Sequence, residues 1–330
     1  MNNKTINIAF AGLRHSHIFV LYNMAKENPL YTIVGAFEAD DAARKTAEEN
    51  GVVCNYNSYE ELLADSRVDV VALGGYYAQR GQMAIDALKA GKHVMADKPL
   101  CTTTAELDAI ETLSKEKGLL VTCMFTMRFE KKINALKRLK ESGALGEINN
   151  VYFGGQHPLQ YGRRPMWYFE DGKHGGVIND IAIHGIDILS YALGLQVKDI
   201  LSARCWNKFA AEEPQFADSA QFMLTAENGA GIIADVSYAI PDGVEFGLPY
   251  YWQFYVWGTK GTVRFSLNEE ESYYYVANEK TPLVLDETEE PADYLTDFYR
   301  LLEGEADTVL PMADVFAATR KTLEIQQKSL

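Results

Sequence analysis

Two groups of side chains carry the residue types that proton transfer needs. Asp97-Lys98-Pro99 directly follows a short apolar run. A lysine at the end of such a strand, beside a carboxylate and locked by a proline, can donate to a substrate hydroxyl and assist proton transfer. Asp180 and His184 stand four residues apart among isoleucines. That spacing puts them on one helix face, in surroundings where a polar group needs a partner or a purpose. A carboxylate beside an imidazole holds its tautomer and tunes its basicity, which suits a general base. The competing reading is a core histidine satisfied by its own helix. Asp187 completes an H-x-x-D spacing and is expected to cap or pair structurally rather than to bind metal.

A third group follows the first strand: Ala11-Gly12-Leu13-Arg14-His15-Ser16-His17. A dinucleotide-binding loop belongs there, and Gly12 is the first glycine of a G-x-G-x-x-G pattern whose other two positions hold Arg14 and His17. Gly12, Leu13, Arg14 and His15 are therefore candidate cofactor contacts, with a plain tight turn as the alternative. Glu38 ends the second strand, where an acidic side chain accepts from adenosine ribose hydroxyls and repels a 2′-phosphate, so NAD is favoured over NADP. His15 and His17 open a helix, a place that attracts anions. No third ligand lies near them in sequence, so no metal site is expected, and capping or packing is the other account of the pair.

The elements that position these residues are regular. Strands over 6–10, 31–37, 68–74, 93–96 and 119–125 alternate with helices over 15–28, 40–50, 78–90 and 103–117. Near-continuous apolar strands separated by helices signal a parallel sheet covered on both faces. The result is an α/β doubly wound domain of the Rossmann type over 1–125, with ligands at the carboxyl ends of its strands. Beyond it come a helix over 131–142, a strand over 150–154 and an apolar-faced helix over 177–193. Strands over 199–206, 217–226, 230–238, 250–257, 261–267 and 272–277 follow, then helices over 293–304 and 312–328. Residues 268–293 are acidic and read as solvated loop or edge strand. The expectation for 126–330 is an α+β domain with a large, mostly antiparallel open sheet, whose uncovered face suggests a homodimer or homotetramer.

Composition narrows the function classes. The 330 residues include 31 Lys+Arg against 46 Asp+Glu, a net charge of −15. That field repels phosphate and argues against non-specific binding of nucleic acid or an anionic membrane surface. No apolar run approaches a membrane span, and no signal-peptide pattern opens the chain. Cys54, Cys101, Cys123 and Cys205 are scattered without a C-x-x-C pair, which fits free thiols in a reducing compartment. The reading is a cytoplasmic protein.

Together these residues resemble the glucose–fructose oxidoreductase and inositol dehydrogenase (Gfo/Idh/MocA) family. The shared motifs are Ala90-Gly91-Lys92-His93-Val94, Asp97-Lys98-Pro99 and Gly175-Gly176, then Asp180 with His184. Residues 141–148 resemble the family's entry into its second domain, and Trp257-Gly258-Thr259-Lys260-Gly261-Thr262 its late G-T-x-G turn. The resemblance implies NAD(P)-dependent oxidation of a secondary hydroxyl on a sugar, inositol or related polyol, or reduction of the ketone. It implies Lys98 as catalytic lysine, Asp180 as substrate-orienting carboxylate and His184 as general base. Asp97 stands where the family usually has Glu, and it and Lys98 count as cofactor contacts as well. Gly75 and Tyr76, followed by Tyr77, replace the family's T-P-N near the nicotinamide ribose and count as cofactor contacts. His157, Arg164, Trp167 and Tyr168 offer the hydrogen bonds and stacking surfaces a sugar would use. Two alternatives stay open: NAD-assisted elimination or glycoside cleavage without net redox, and a non-catalytic NAD- or sugar-binding sensor.

Overall fold

Strand propensity and helix capping alternate through the first third of the chain. A computed structural model describes residues 5–241 and 243–329, which divide into two compact units. The first holds residues up to Phe125, Pro165–Gly175 and Ala292–Arg320. Its strands and helices run β1 Ile6–Leu13, α1 His17–Glu27, β2 Tyr31–Phe37, α2 Asp41–Glu49, α3 Tyr59–Ala64 and β3 Val70–Gly74. Then come α4 Tyr77–Lys89, β4 His93–Ala96, α5 Thr104–Lys117 and β5 Val121–Cys123. All strands pair in parallel, in the order β2-β1-β3-β4-β5. Every residue of β3 is buried, as a strand covered on both faces requires.

The helices start at side-chain caps. Asp40 accepts from Ala43 N–H before α2, Ser58 from Glu61 N–H before α3, and Thr103 forms a capping box with Glu106 before α5. Segments 165–175 and 292–320 lie beyond the boundary expected at 125/126 and group with the first unit. Trp167 and Tyr168 pack on Tyr77, and the Tyr31 hydroxyl donates to Leu295 O in α8, Tyr294–Leu302.

The second unit is built on an eight-stranded sheet. After α6, Lys131–Glu141, come β6 Ile148–Pro158, α7 Ile183–Tyr191, β7 Val197–Trp206, β8 Ser219–Ala226 and β9 Gly231–Ile240. The remaining strands are β10 Gln253–Gly258, β11 Gly261–Ser266, β12 Tyr273–Val276 and β13 Leu283–Val284. The order is β13-β12-β11-β10-β6-β9-β8-β7, antiparallel throughout except for the parallel pair β6/β9. The acidic stretch at 268–293 thus supplies the two strands at one edge. The last helix, α9 Met312–Lys328, contributes its first residues to one unit and its last to the other.

Alternation along β8 and β9 sends Phe222, Leu224, Ile232 and Ala234 to the core. It leaves Met223 and Ile233 exposed on the other face, where they line a groove with Leu201 and Trp257. Among the described residues no helix is long and apolar enough to cross a membrane.

Candidate active site

In the first unit the candidate residues gather at the carboxyl ends of β1, β3 and β4, where the strand order reverses. Ligands bind at this switch point in open α/β sheets. Gly12 has φ 72°, and a Cβ on it would come within 2.5 Å of Gly75 N, so only glycine lets β1 and β3 close this tightly. Arg14 and His15 N–H both donate to Gly74 O, at 3.0 and 3.2 Å. Glu38 is buried at the end of β2: Oε2 accepts from Leu13 N–H at 2.5 Å, and Oε1 from Arg14 Nε at 3.0 Å and Asp40 N–H at 2.9 Å. The carboxylate therefore fixes the loop as well as facing it.

Asp97 is the hub of this end of the sheet. Its Oδ2 accepts from His15 Nδ1 at 2.5 Å and from Arg80 Nη2 at 2.9 Å, while His17 Nδ1 lies 3.3 Å from Oδ1. Burial opposes ionisation of Asp97, but the Arg80 guanidinium and the two imidazoles outweigh it and hold the carboxyl well below the usual carboxylate range. Burial likewise dominates at His15 and lowers it to about 3 against the pull of Asp97. His15 is thus a neutral imidazole at pH 7, donating from Nδ1. Arg80 itself is fully buried, its Nε donating to Gly75 O and its Nη1 to Lys98 O. It ties the Gly75 turn to the Asp97-Lys98 turn, where the Lys98–Pro99 peptide is cis.

Trp167 and Tyr168, within the first unit, join this group. Trp167 Nε1 donates to Arg14 O at 3.2 Å, and its ring meets Tyr77 at 5.0 Å and Tyr76 at 6.4 Å. Tyr168 and Tyr77 share a hydroxyl–hydroxyl bond of 2.7 Å, and the Tyr77 hydroxyl stands 3.3 Å from His15 Nε2.

In the second unit, Asp180 and His184 occupy the start of the helix expected over 177–193. The segment is not uniform: Ile178–Ala182 is a π-helical turn, and α7 follows. Such turns are frequent at functional sites. The physical cause of its start is a side-chain cap from far along the chain. Gln326 Oε1 accepts from Ile178 N–H at 3.0 Å and Asn179 N–H at 3.3 Å, satisfying donors that a helix start leaves open. A Cβ at Gly176, φ 101°, would sit 2.2 Å from that amide.

Around the pair stand aromatic rings. The Tyr238 hydroxyl donates to Asp180 Oδ2, and the Trp252 ring lies 5.8 Å from the His184 ring. His157 is set among Tyr238, Phe246, Tyr251 and Trp252, with the Tyr251 hydroxyl 3.4 Å from its Nε2. Arg164 stacks on Tyr238 at 5.0 Å and donates to Pro158 O and Leu159 O. Asp187 pairs with Arg128 through Nε and Nη2, the latter at 2.6 Å, both side chains buried; it is structural.

Arg80, Tyr238 and Trp252 escaped the sequence reading. Only Arg80 left a usable signal, because it interrupts the buried stripe of α4 formed by Tyr77, Ala84 and Leu88.

With this geometry in hand, comparison with known proteins is informative. Residues 6–125 match the oxidoreductase family's NAD-binding Rossmann fold, and residues 133–264 match the GFO/IDH/MocA C-terminal domain. Myo-inositol 2-dehydrogenase of Thermotoga maritima is 26% identical over 245 residues, 73% of this chain and 69% of that one. A solved structure from Erwinia carotovora atroseptica SCRI1043 superposes with TM-score 0.87 at 24% identity, covering 99% of each chain. Levoglucosan dehydrogenase in complex with NADH gives TM-score 0.78 at 19% identity, covering 99% of this chain and 97% of that one. Those two likenesses show the fold. Two family models in the right order, over a Rossmann sheet and a large antiparallel one, place this chain in the Gfo/Idh/MocA family of oxidoreductases.

Proposed function

We propose that the chain oxidises a secondary hydroxyl of a sugar, inositol or related polyol, or reduces the corresponding ketone, with NAD as cofactor. The observation that carries this reading is the burial of three ionisable side chains: Lys98 is 4% exposed, Asp180 2% and His184 7%. They are also the three positions that match the family's motifs. Charges are kept out of water at a cost, and catalytic sites are where that cost is commonly met.

The first unit's residues fit the cofactor. Gly12 and Gly75 close the strand ends so that backbone can approach a pyrophosphate, and Glu38 stands where a ribose hydroxyl is read. Glu38 supports NAD over NADP. Bound NAD supplies a two-electron hydride acceptor. The chain's own work is then proton handling. In this proposal His184 takes the proton of the substrate hydroxyl, Lys98 stabilises developing charge, and Asp180 orients the substrate. Tyr238, through its hydrogen bond, holds Asp180 in place.

We further propose that the apolar face bearing Leu201, Met223, Ile233 and Trp257 is covered in a homodimer or homotetramer. Four free cysteines support a cytoplasmic location.

The test is turnover of NAD against a panel of inositols and sugars, with His184→Ala as control. The variant should lose at least about a hundredfold in kcat while NADH still quenches tryptophan fluorescence as in the wild type. Unchanged turnover in the variant would remove His184 as the base.

A further inference from the structure

We propose that His15, His17 and Asp97 form a site for a divalent transition-metal ion of the zinc class. The site lies wholly in the first unit and does not rest on the oxidoreductase reading. His15 and His17 come from the loop after β1, and Asp97 from the end of β4. The fold brings one ligand atom of each within 4.8 Å of the others.

The second, independent observation is Asp97 Oδ1. The side chain is fully buried, yet Oδ1 accepts no hydrogen bond. A buried carboxylate oxygen that makes no hydrogen bond is costly and favours a positive group beside it. The His17 ring stands beside it, 3.3 Å away at Nδ1, and is 45% exposed. An ion can therefore enter from solvent and keep water in an open coordination position.

The donor set decides the class of ion. Two imidazole nitrogens and one carboxylate oxygen suit zinc and its neighbours, whereas magnesium and calcium take oxygen shells. Tetrahedral zinc with bonds of about 2.0–2.1 Å separates its ligand atoms by roughly 3.4 Å. The His17–Asp97 contact of 3.3 Å already matches that spacing. His15 Nδ1 contacts the other carboxylate oxygen, Oδ2, at 2.5 Å, and has to give up that hydrogen bond as its lone pair turns to the ion held on Oδ1.

That proton has a place to go. When His15 Nδ1 coordinates, the neutral ring carries its hydrogen on Nε2, which faces the Tyr77 hydroxyl at 3.3 Å. Tyr77 accepts it and donates onward to the Tyr168 hydroxyl at 2.7 Å. A metal-bound imidazole whose other nitrogen donates to an oriented partner is the arrangement that fixes the tautomer of ligating histidines. The exchange is a tautomer shift with no net loss of protons.

Two features work against a cation: the Arg80 guanidinium on Oδ2, and the positive end of α1, which begins at His17. Micromolar rather than nanomolar affinity is therefore expected.

The experiment is isothermal titration of the full chain with zinc chloride at pH 7.5, without nucleotide, alongside magnesium chloride. The expected result is one zinc per chain, no magnesium binding, and at least tenfold weaker zinc binding in His17→Ala and Asp97→Asn. His17→Ala alters a half-exposed side chain, so it remains informative if Asp97→Asn fails to fold. Zinc binding of the wild type no tighter than that of His17→Ala overturns the proposal, and equal binding of magnesium overturns the metal class. Because no nucleotide is present, failure here leaves the oxidoreductase reading standing.

Discussion

Arg80 and Asp97 form an ion pair with both side chains entirely out of solvent, Nη2 standing 2.9 Å from Oδ2. The same guanidinium holds the carbonyls of Gly75 and Lys98. One side chain from α4 thereby sets the spacing of the two strand ends at which the candidate cofactor and proton-transfer residues stand.

Removing it should be expensive. Arg80→Ala leaves a buried carboxylate short of its strongest partner, and a loss of about 3–5 kcal/mol is expected in urea unfolding. Arg67→Ala breaks a pair with Asp65 in which the arginine is exposed, and should cost far less. Equal losses in the two variants would refute the central role of Arg80.

His15 makes acid stability asymmetric. Burial, partly offset by Asp97, lowers it from an ordinary 6.5 to about 3. As pH falls below 6.5 the unfolded chain takes up a proton there that the folded chain refuses until about pH 3. The contribution of His15 to stability is thus complete above pH 6.5 and is lost progressively as pH drops toward 3. Asp97, held well below 3.8, adds its own loss only under that value. Melting temperature measured between pH 7.5 and 4.5 should fall less steeply in His15→Gln than in the wild type. Parallel curves would contradict a buried neutral His15.

Glu38 occupies Arg14, and that pairing has consequences for cofactor choice. Arg14 Nε stands 3.0 Å from Glu38 Oε1, with Asp40 3.3 Å from the same guanidinium. In Glu38→Ser the repelling carboxylate is gone and Arg14 is released toward a 2′-phosphate. The ratio of NADPH to NADH affinity should rise at least about tenfold, read by tryptophan quenching. An unchanged ratio would mean that Glu38 does not read the ribose.

Much of the fold was legible in the sequence because strand and helix periods are local. The run over 31–37 is β2 to the residue, and 312–328 is α9. The short helix α3 was missed, since its six residues give too few turns for a period to show. The strand expected over 150–154 extends to Ile148–Pro158 because β9, β10 and their pairing continue it. The polar residues of the candidate site could be picked out by type and spacing, but their partners could not. His15 meets Asp97 across 82 positions and Tyr238 meets Asp180 across 58, distances over which no spacing rule operates. Trp167 and Tyr168 pack on Tyr77 across about 90 positions, a contact the sequence could not announce.

The cap from Gln326 bears on how the chain is made. Ribosomes deliver residues in order, at about 5–20 per second, and the helix carrying Asp180 and His184 emerges long before Gln326 does. Its first two N–H groups have only water to bind until α9 arrives. The first unit waits as well, because the Tyr31 hydroxyl finds its acceptor only at Leu295. Each unit therefore completes a hydrogen bond of its early segments only with residues synthesised much later.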